Sequence, residues 1–398
     1  MNRLTRTFRP ASGFKAFLLS MFAIGLSYGL YKGVLDNYLA EIVSMTEFDK
    51  GVSEFFRELP GLLVVFILAA LFTFSAECLF KLGAAIMVGG MLLHAVLPAT
   101  RVYVIIAIFV YSLGEHLQLA MRQTLSLEYS QKGKGGEAMG MQNAIHQIGT
   151  LAGYLVIISA FFFLSSSLGL FRIIFLVSTV IAGASFAFSL GLTGSSKTDK
   201  SKSRFYFRKK YSKFYMLEVF YGARKQIFLT FGPYVLVLFY GADTAVISLL
   251  FAISAVCTFI ASPYVGKIID RFGYKIVMIS DTLILVIVCF FYGFAHHMFP
   301  MHIAFIVCCV NYVLDSVISL ASMASSVYVQ DLSETQEEMK ATLSTGLSVN
   351  HLITIGIALS GGWIWHTLGI ETLFILSAIL GLCNSAYAAS IKVPEKNV

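Results

Sequence analysis

Charge is scarce in this chain. Asp, Glu, Lys and Arg make up 13% of its 398 residues, against 57% hydrophobic residues and a mean hydropathy of +0.79. About a quarter of an ordinary soluble domain is charged, so a soluble globular class is excluded. Seven prolines are too few to interrupt the long apolar runs. The six cysteines (Cys78, Cys257, Cys289, Cys308, Cys309 and Cys383) show no C-x-x-C spacing and lie in or beside apolar segments, which argues against a disulfide framework or a cysteine zinc site. No nucleophile with its base stands out, which argues against an intramembrane enzyme, and tails and loops this short leave no room for the signalling domain of a receptor. His296, His297 and His302 cluster in a predicted outer loop; three histidines can hold a metal, although loop histidines are commonly just solvated. No cofactor is expected.

What fills the chain instead is a series of apolar stretches, each long enough to cross a bilayer, for which about 20 residues suffice. Twelve are read near 16–39, 53–73, 76–97, 102–124, 138–163, 170–192, 211–239, 244–265, 274–295, 300–326, 340–365 and 370–391. The first follows Arg3, Arg6, Arg9 and Lys15, as a signal peptide would. It contains Lys32 and Asp36 and lacks a small-residue cleavage site, so it reads as a retained helix. The stretch 193–213 holds Lys197, Lys200, Lys202, Arg204, Arg208, Lys209, Lys210 and Lys213 against the single acid Asp199. By the positive-inside rule both basic groups face the cytoplasm, and six crossings separate them. Lys132, Lys134, Lys392 and Lys396 fall on the same side, whereas the predicted outer loop 40–52 carries Glu41, Glu47 and Asp49. The net charge of +7 is therefore a topology signal and implies no nucleic-acid partner. The expected organisation is a half over 1–192, a basic cytoplasmic linker over 193–213 and a half over 214–398, with both termini cytoplasmic.

Between the eighth and ninth stretches lies Gly266-Lys267-Ile268-Ile269-Asp270-Arg271-Phe272-Gly273-Tyr274-Lys275. Glycines permit a sharp reversal, and a carboxylate at Asp270 can accept hydrogen bonds from Arg271 or a neighbouring helix end. This run resembles the signature turn of the major facilitator superfamily of secondary transporters, Gly-x-x-x-Asp-Arg-x-Gly-x-Lys/Arg, with every fixed position present. The resemblance implies an all-α polytopic fold of twelve transmembrane helices in two pseudo-symmetric six-helix halves, and a gating role for Gly266, Asp270, Arg271, Gly273 and Lys275. An internal repeat agrees with it. Tyr28-Gly29-x-x-Lys32 recurs 193 residues later as Tyr221-Gly222-x-x-Lys225, and the same offset sets Glu77 against Asp270. The first copy of the turn, around Ser75 to Gly83, has lost most of the pattern. Glu115 pairs with Asp315 at an offset of 200, and His146 with His351 at 205.

The resemblance implies that helices 1, 4, 7 and 10 line a central cavity, with substrate bound near the midplane between the halves. Lys32, Glu115, Lys225 and Asp315 stand on those four helices. Ionisable groups in hydrocarbon cost several kcal/mol unless paired or hydrated, roughly 3 on insertion scales, so they are functional candidates, with structural ion pairing as the plain alternative. Lys32 and Asp36, at i and i+4, can neutralise each other. Asp36, Glu115 and Asp315 are the candidates for ion coupling. Substrate contacts are expected from Lys32, Lys225, Tyr28, Tyr221, Asn143, His146, Asn350 and His351, the amides and histidines serving equally well as helix–helix glue. Arg224 stands about 100° from Lys225 around the helix, so one of the two faces the cavity, and the repeat favours Lys225. Arg57 and Glu58, beside Pro60-Gly61, are read either as an outer gate or as headgroup-level charges. Gly149-x-x-x-Gly153 and Gly356-x-x-x-x-Gly361-Gly362 read as close-packing devices.

The fifth stretch lacks the proline that drug–proton antiporters of the superfamily carry there, which lowers a drug-efflux reading. The expectation is a monomeric, proton- or sodium-coupled transporter in a bacterial inner membrane, embedded in the lipid bilayer. It would move a small polar, anionic or zwitterionic molecule by rocker-switch alternating access. An exporter of amphiphilic drugs or lipids, suggested by 35 phenylalanines, is the alternative.

Overall fold

A computed structural model describes residues 6–9, 13–71, 73–132, 134–192 and 207–391. Arg3, Lys197, Asp199, Lys200, Lys202, Arg204, Lys392 and Lys396 lie outside the described residues. Among the described residues the fold is all-α. Their twelve long helices are α1 Phe14–Asn37, prolonged by a π-turn Tyr38–Ile42, α2 Glu47–Ala70, α3 Ala76–Val96, α4 Arg101–Tyr129, α5 Gly135–Phe163 and α6 Leu168–Leu190. There follow α7 Ser212–Leu238, α8 Thr244–Phe272, α9 Tyr274–Met298, α10 Met301–Leu332 with a 3-10 turn at Ser319–Ser322, α11 Gln336–Leu368 and α12 Ile370–Ala389. Ten of them are long and apolar enough to cross a membrane. The two that fall short, α2 and α7, are rich in internal charge.

Several helices begin earlier or run longer than hydropathy suggests, because their ends are closed by polar caps. The predicted second stretch starts at 53, yet α2 starts at Glu47. The Thr46 N–H donates to Asp49 Oδ2 (2.9 Å) and the Asp49 N–H to Thr46 Oγ1 (3.2 Å), a reciprocal cap that turns most of the expected outer loop into helix. Thr335 caps α11 through Oγ1, accepting from the Glu338 N–H at 3.1 Å. Ser75 and Ser167 do the same for α3 and α6.

The chain forms two compact units. Unit 1 comprises 1–44, 59–203 and 243–252; unit 2 comprises 45–58, 204–242 and 253–398. In unit 1, α1 packs on α5 and α6, and α3 on α4 and α6. In unit 2, α7 packs on α11 and α12, and α9 on α10 and α12. The same helix pairs meet in both units, each shifted by six, as an internal repeat requires.

The α1–α5 contact is made by glycine. A Cβ at Gly25 would sit 2.0 Å from the His146 carbonyl oxygen and one at Gly29 2.2 Å from that of Thr150, while Gly149 and Gly153 abut Phe22 and Leu26 from the other side. Small residues at this spacing let two backbones touch. Of the second run, Gly361 and Gly362 are close-packed, against Phe231 and Gly51, but Gly356 faces open space, which corrects the packing role expected of it. The N-terminal segment is seated by backbone pairing: Gln131 N–H donates to Thr7 O and Arg9 N–H to Tyr129 O, both at 2.9 Å, and Phe8 is fully buried.

Candidate functional site

In unit 1 the mid-span charges of α1 form an ion pair. Lys32 Nζ stands 2.8 Å from Asp36 Oδ2, one helical turn on. The carboxylate is sealed, Asp36 being 1% exposed, whereas the lysine side chain keeps 20% of its surface. Its ammonium lies 5.2 Å from the centre of the Phe251 ring, a cation–π contact. Beneath the pair, the Tyr31 hydroxyl is hydrogen-bonded to His94 Nε2 at 3.1 Å and its ring lies 4.4 Å from that of Tyr111. The Tyr111 hydroxyl donates weakly to Glu115 Oε1 at 3.5 Å. Arg122, two turns further along α4, lies within electrostatic reach of Glu115, Tyr28, Tyr111 and His146. Tyr28 and His146 face each other with ring centres 6.2 Å apart. Asn143 is exposed on α5.

In unit 2 the two neighbouring cations of α7 take different surroundings. Arg224 is buried at 2% exposure and its Nη2 donates to Asp281 Oδ2 of α9 at 2.6 Å, whereas Lys225 is exposed beside it. Both cations act electrostatically on buried Asp315. The Tyr221 ring is flanked by Arg224 and Lys225, 4.8 and 5.9 Å from its centre, and its hydroxyl donates to Ser319 O at 2.7 Å, at the break in α10. Glu218, one turn before Tyr221, accepts from Ser325 at 3.1 Å and from Asn350 Nδ2 at 3.4 Å.

The early part of α2 belongs to the same unit and carries a chain of alternating charge. Lys50 meets Glu54 at 2.9 Å, Arg57 bridges Glu54 and Glu58 at 2.5 Å each, and Glu58 Oε2 is 3.1 Å from His351 Nδ1 and 3.3 Å from Thr354 Oγ1. Arg57 and Glu58 are thus joined in one network of ion pairs and hydrogen bonds within unit 2.

At the signature turn, Gly273 has φ +83° and ψ 150°, a conformation essentially restricted to glycine. Asp270 and Arg271 are exposed, and among the described residues neither forms an ion pair; Arg271 lies over the Phe272 ring at 5.4 Å. Lys275 donates to Ile391 O at 2.9 Å. Gly266 faces open space. Nearby Lys210 pairs with Glu338 at 2.8 Å, and that hydrogen bond raises the ammonium's pKa above the ordinary lysine range. In unit 1, Glu77 is 3% exposed and neither of its carboxylate oxygens has a hydrogen-bond partner among the described residues.

Arg122, Glu218, Asp281, Lys50 and Glu54 were not singled out by sequence reasoning. The first three were detectable as ionisable residues inside predicted stretches. Glu54 lies just inside the second stretch and was detectable in the same way; Lys50 was hidden, because that stretch begins at 53, beyond it.

Residues 214–397 match the Major Facilitator Superfamily sequence profile. Among curated proteins, none matches the chain in sequence. Solved structures match it over nearly its whole length. The nucleoside transporter NupG superimposes with a TM-score of 0.73 at 15% identity, covering 96% of this chain and 99% of its own. A POT family transporter in complex with 5-aminolevulinic acid gives 0.72 at 10%, covering 94% of each. A D-xylose–proton symporter gives 0.70 at 14%, covering 94% of this chain and 96% of its own.

Proposed function

We propose that this protein, which matches the Major Facilitator Superfamily sequence profile over residues 214–397 and shares the fold of solved transporters along nearly its whole length, is a member of that superfamily and a proton-coupled transporter of a small polar molecule bearing an anionic group. On this reading it is a secondary transporter, not an enzyme. One observation carries the substrate reading: the Lys32–Asp36 pair presents a reachable ammonium in front of a sealed carboxylate. A ligand carboxylate or phosphate can approach Lys32 while Asp36 stays shielded. Exchange of partners keeps the lysine charge-neutralised before and after, and moves the electrostatic cost onto Asp36. Lys225, exposed at the equivalent position of α7 beside Tyr221, is the corresponding reachable cation of unit 2. The Tyr221 hydroxyl is already committed to Ser319, so its ring face is what remains for a ligand. Lys225 and Arg224 together with Glu218 and Asp281 leave a zwitterion as acceptable as an anion.

Proton coupling follows the same logic. When a ligand anion takes the lysine, the Lys32–Asp36 pair is broken in a medium of low dielectric, and taking up a proton is the cheapest way to lower the charge on Asp36. Glu115 and Asp315 are placed for the same exchange with Arg122 and with Arg224 and Lys225. The gating charges at Asp270 and Arg271, exposed within unit 2, are free to engage during alternating access.

A thermal-shift screen of the purified protein in detergent tests this reading. Its panel contains organic anions, amino acids such as 5-aminolevulinic acid, nucleosides, xylose, lipophilic cations and lipids, run at acidic and alkaline pH beside Lys32→Ala. Stabilisation by an anion or zwitterion, lost in the variant, is the expected result. Stabilisation by lipophilic cations or lipids alone, equal in both proteins, would sink the proposal in favour of an exporter of amphiphiles.

A further inference from the structure

At the opposite end of α9 from the signature turn, two histidines and a glutamate of unit 2 converge outside the substrate machinery. His296 and His297 occupy the last turn of α9, and Glu371 the first turn of α12. His296 Nε2 lies 3.2 Å and His297 Nε2 2.9 Å from the same oxygen, Glu371 Oε1, and the two rings are 3.9 Å apart. All three potential ligand atoms fall within 4.8 Å of one another. His302, which the sequence grouped with them, is exposed and does not join the cluster.

We propose that His296, His297 and Glu371 form a transition-metal site, best suited to Zn2+, that ties the last turn of α9 to the first turn of α12. Two imidazoles and one carboxylate are a ligand set that Zn2+ accepts, with water in the remaining position. A tetrahedral ion with ligand arms of about 2.1 Å holds neighbouring donors about 3.4 Å apart. The two nitrogen–oxygen separations lie a few tenths of an ångström short of that, so side-chain rotation alone opens the cluster to an ion. The His297 side chain is 59% exposed, which provides an entry path and room for the water ligand.

The backbone is shaped for this carboxylate. Gly369, between α11 and α12, has φ +91°, and a Cβ there would stand 2.8 Å from Glu371 Oε2. Glycine at 369 therefore serves both the turn and the space the carboxylate occupies. On the other flank Phe239 packs edge-on against His296 at 4.9 Å and holds its ring. The proposal does not depend on the substrate.

The test is calorimetric titration of Zn2+ into the full-length, chelator-treated protein in detergent, with Co2+ absorption as a spectroscopic readout of imidazole ligation. One saturable ion per chain at micromolar concentration is expected. His297→Ala, which alters an exposed side chain, should weaken binding at least ~10-fold, as should Glu371→Gln, while His302→Ala leaves it unchanged. Lowering the pH from about 7.5 to about 5.5 should weaken binding comparably, because both imidazoles must be neutral to ligate. Absence of saturable binding, or affinity unchanged in both His297→Ala and Glu371→Gln, would overturn the site.

Discussion

Neighbouring cations on α7 illustrate how much a single position decides. Arg224 and Lys225 look alike in sequence, yet one is buried against Asp281 and the other is exposed. Removing one partner of a buried pair leaves an uncompensated charge, at a cost of about 3–5 kcal/mol. Asp281→Ala is therefore expected to lower the melting temperature far more than Lys225→Ala, as read by the temperature dependence of the monodisperse peak in size-exclusion chromatography. The Lys32–Asp36 pair separates stability from function. Lys32→Ala removes the ammonium 2.8 Å from a sealed carboxylate, so it should lose both stability and ligand response. Adding Asp36→Asn to it should restore most of the melting temperature but not the ligand response. If the double variant still responds to ligand, the pair is a structural bridge and no more.

Among the helices, glycine decides which backbones touch. Gly29→Leu places a side chain where a Cβ already meets the Thr150 carbonyl oxygen at 2.2 Å, and is expected to abolish the folded yield by prising α1 from α5. Gly356→Ala meets nothing within 4 Å and should stabilise α11 by about 0.5–1 kcal/mol, the difference in helix propensity. Gly273→Ala forces an alanine to φ +83°, at a cost of about 1–3 kcal/mol. Melting curves of the three variants in one detergent check the order: Gly356→Ala at or above the parent, Gly273→Ala below it, Gly29→Leu without a folded peak. Helix number and type were legible in the sequence because each stretch satisfies the bilayer's length requirement. The ends were not: caps such as Thr46–Asp49 override hydropathy locally, and the 3-10 break in α10 at Ser319–Ser322 leaves no hydropathy signal.

At the scale of the whole chain, each unit repeats one pattern of helix pairs, yet its charges are not repeated. The α1 lysine is paired within its own helix, while its α7 counterpart is exposed and the neighbouring arginine is paired across helices. In proteoliposomes a ligand found by the thermal-shift screen should accumulate under an imposed proton gradient, and a protonophore should abolish accumulation while leaving exchange intact. Accumulation that follows sodium instead would overturn the proton assignment.

The sequence by itself determined that the chain is polytopic, how many helices it has, that it is an internal repeat and where its signature turn lies. Each of these follows from one-dimensional constraints: a hydrocarbon slab of fixed thickness, a scarcity of charge, and glycine where the backbone must reverse. Only the tertiary structure decided which charges meet. Arg224 with Asp281, Glu58 with His351, and the two α9 histidines with Glu371 are brought together by packing across helices far apart in sequence. Such pairings depend on helix rotation to within a fraction of a turn, and hydropathy carries no information about that angle when a helix is apolar all round.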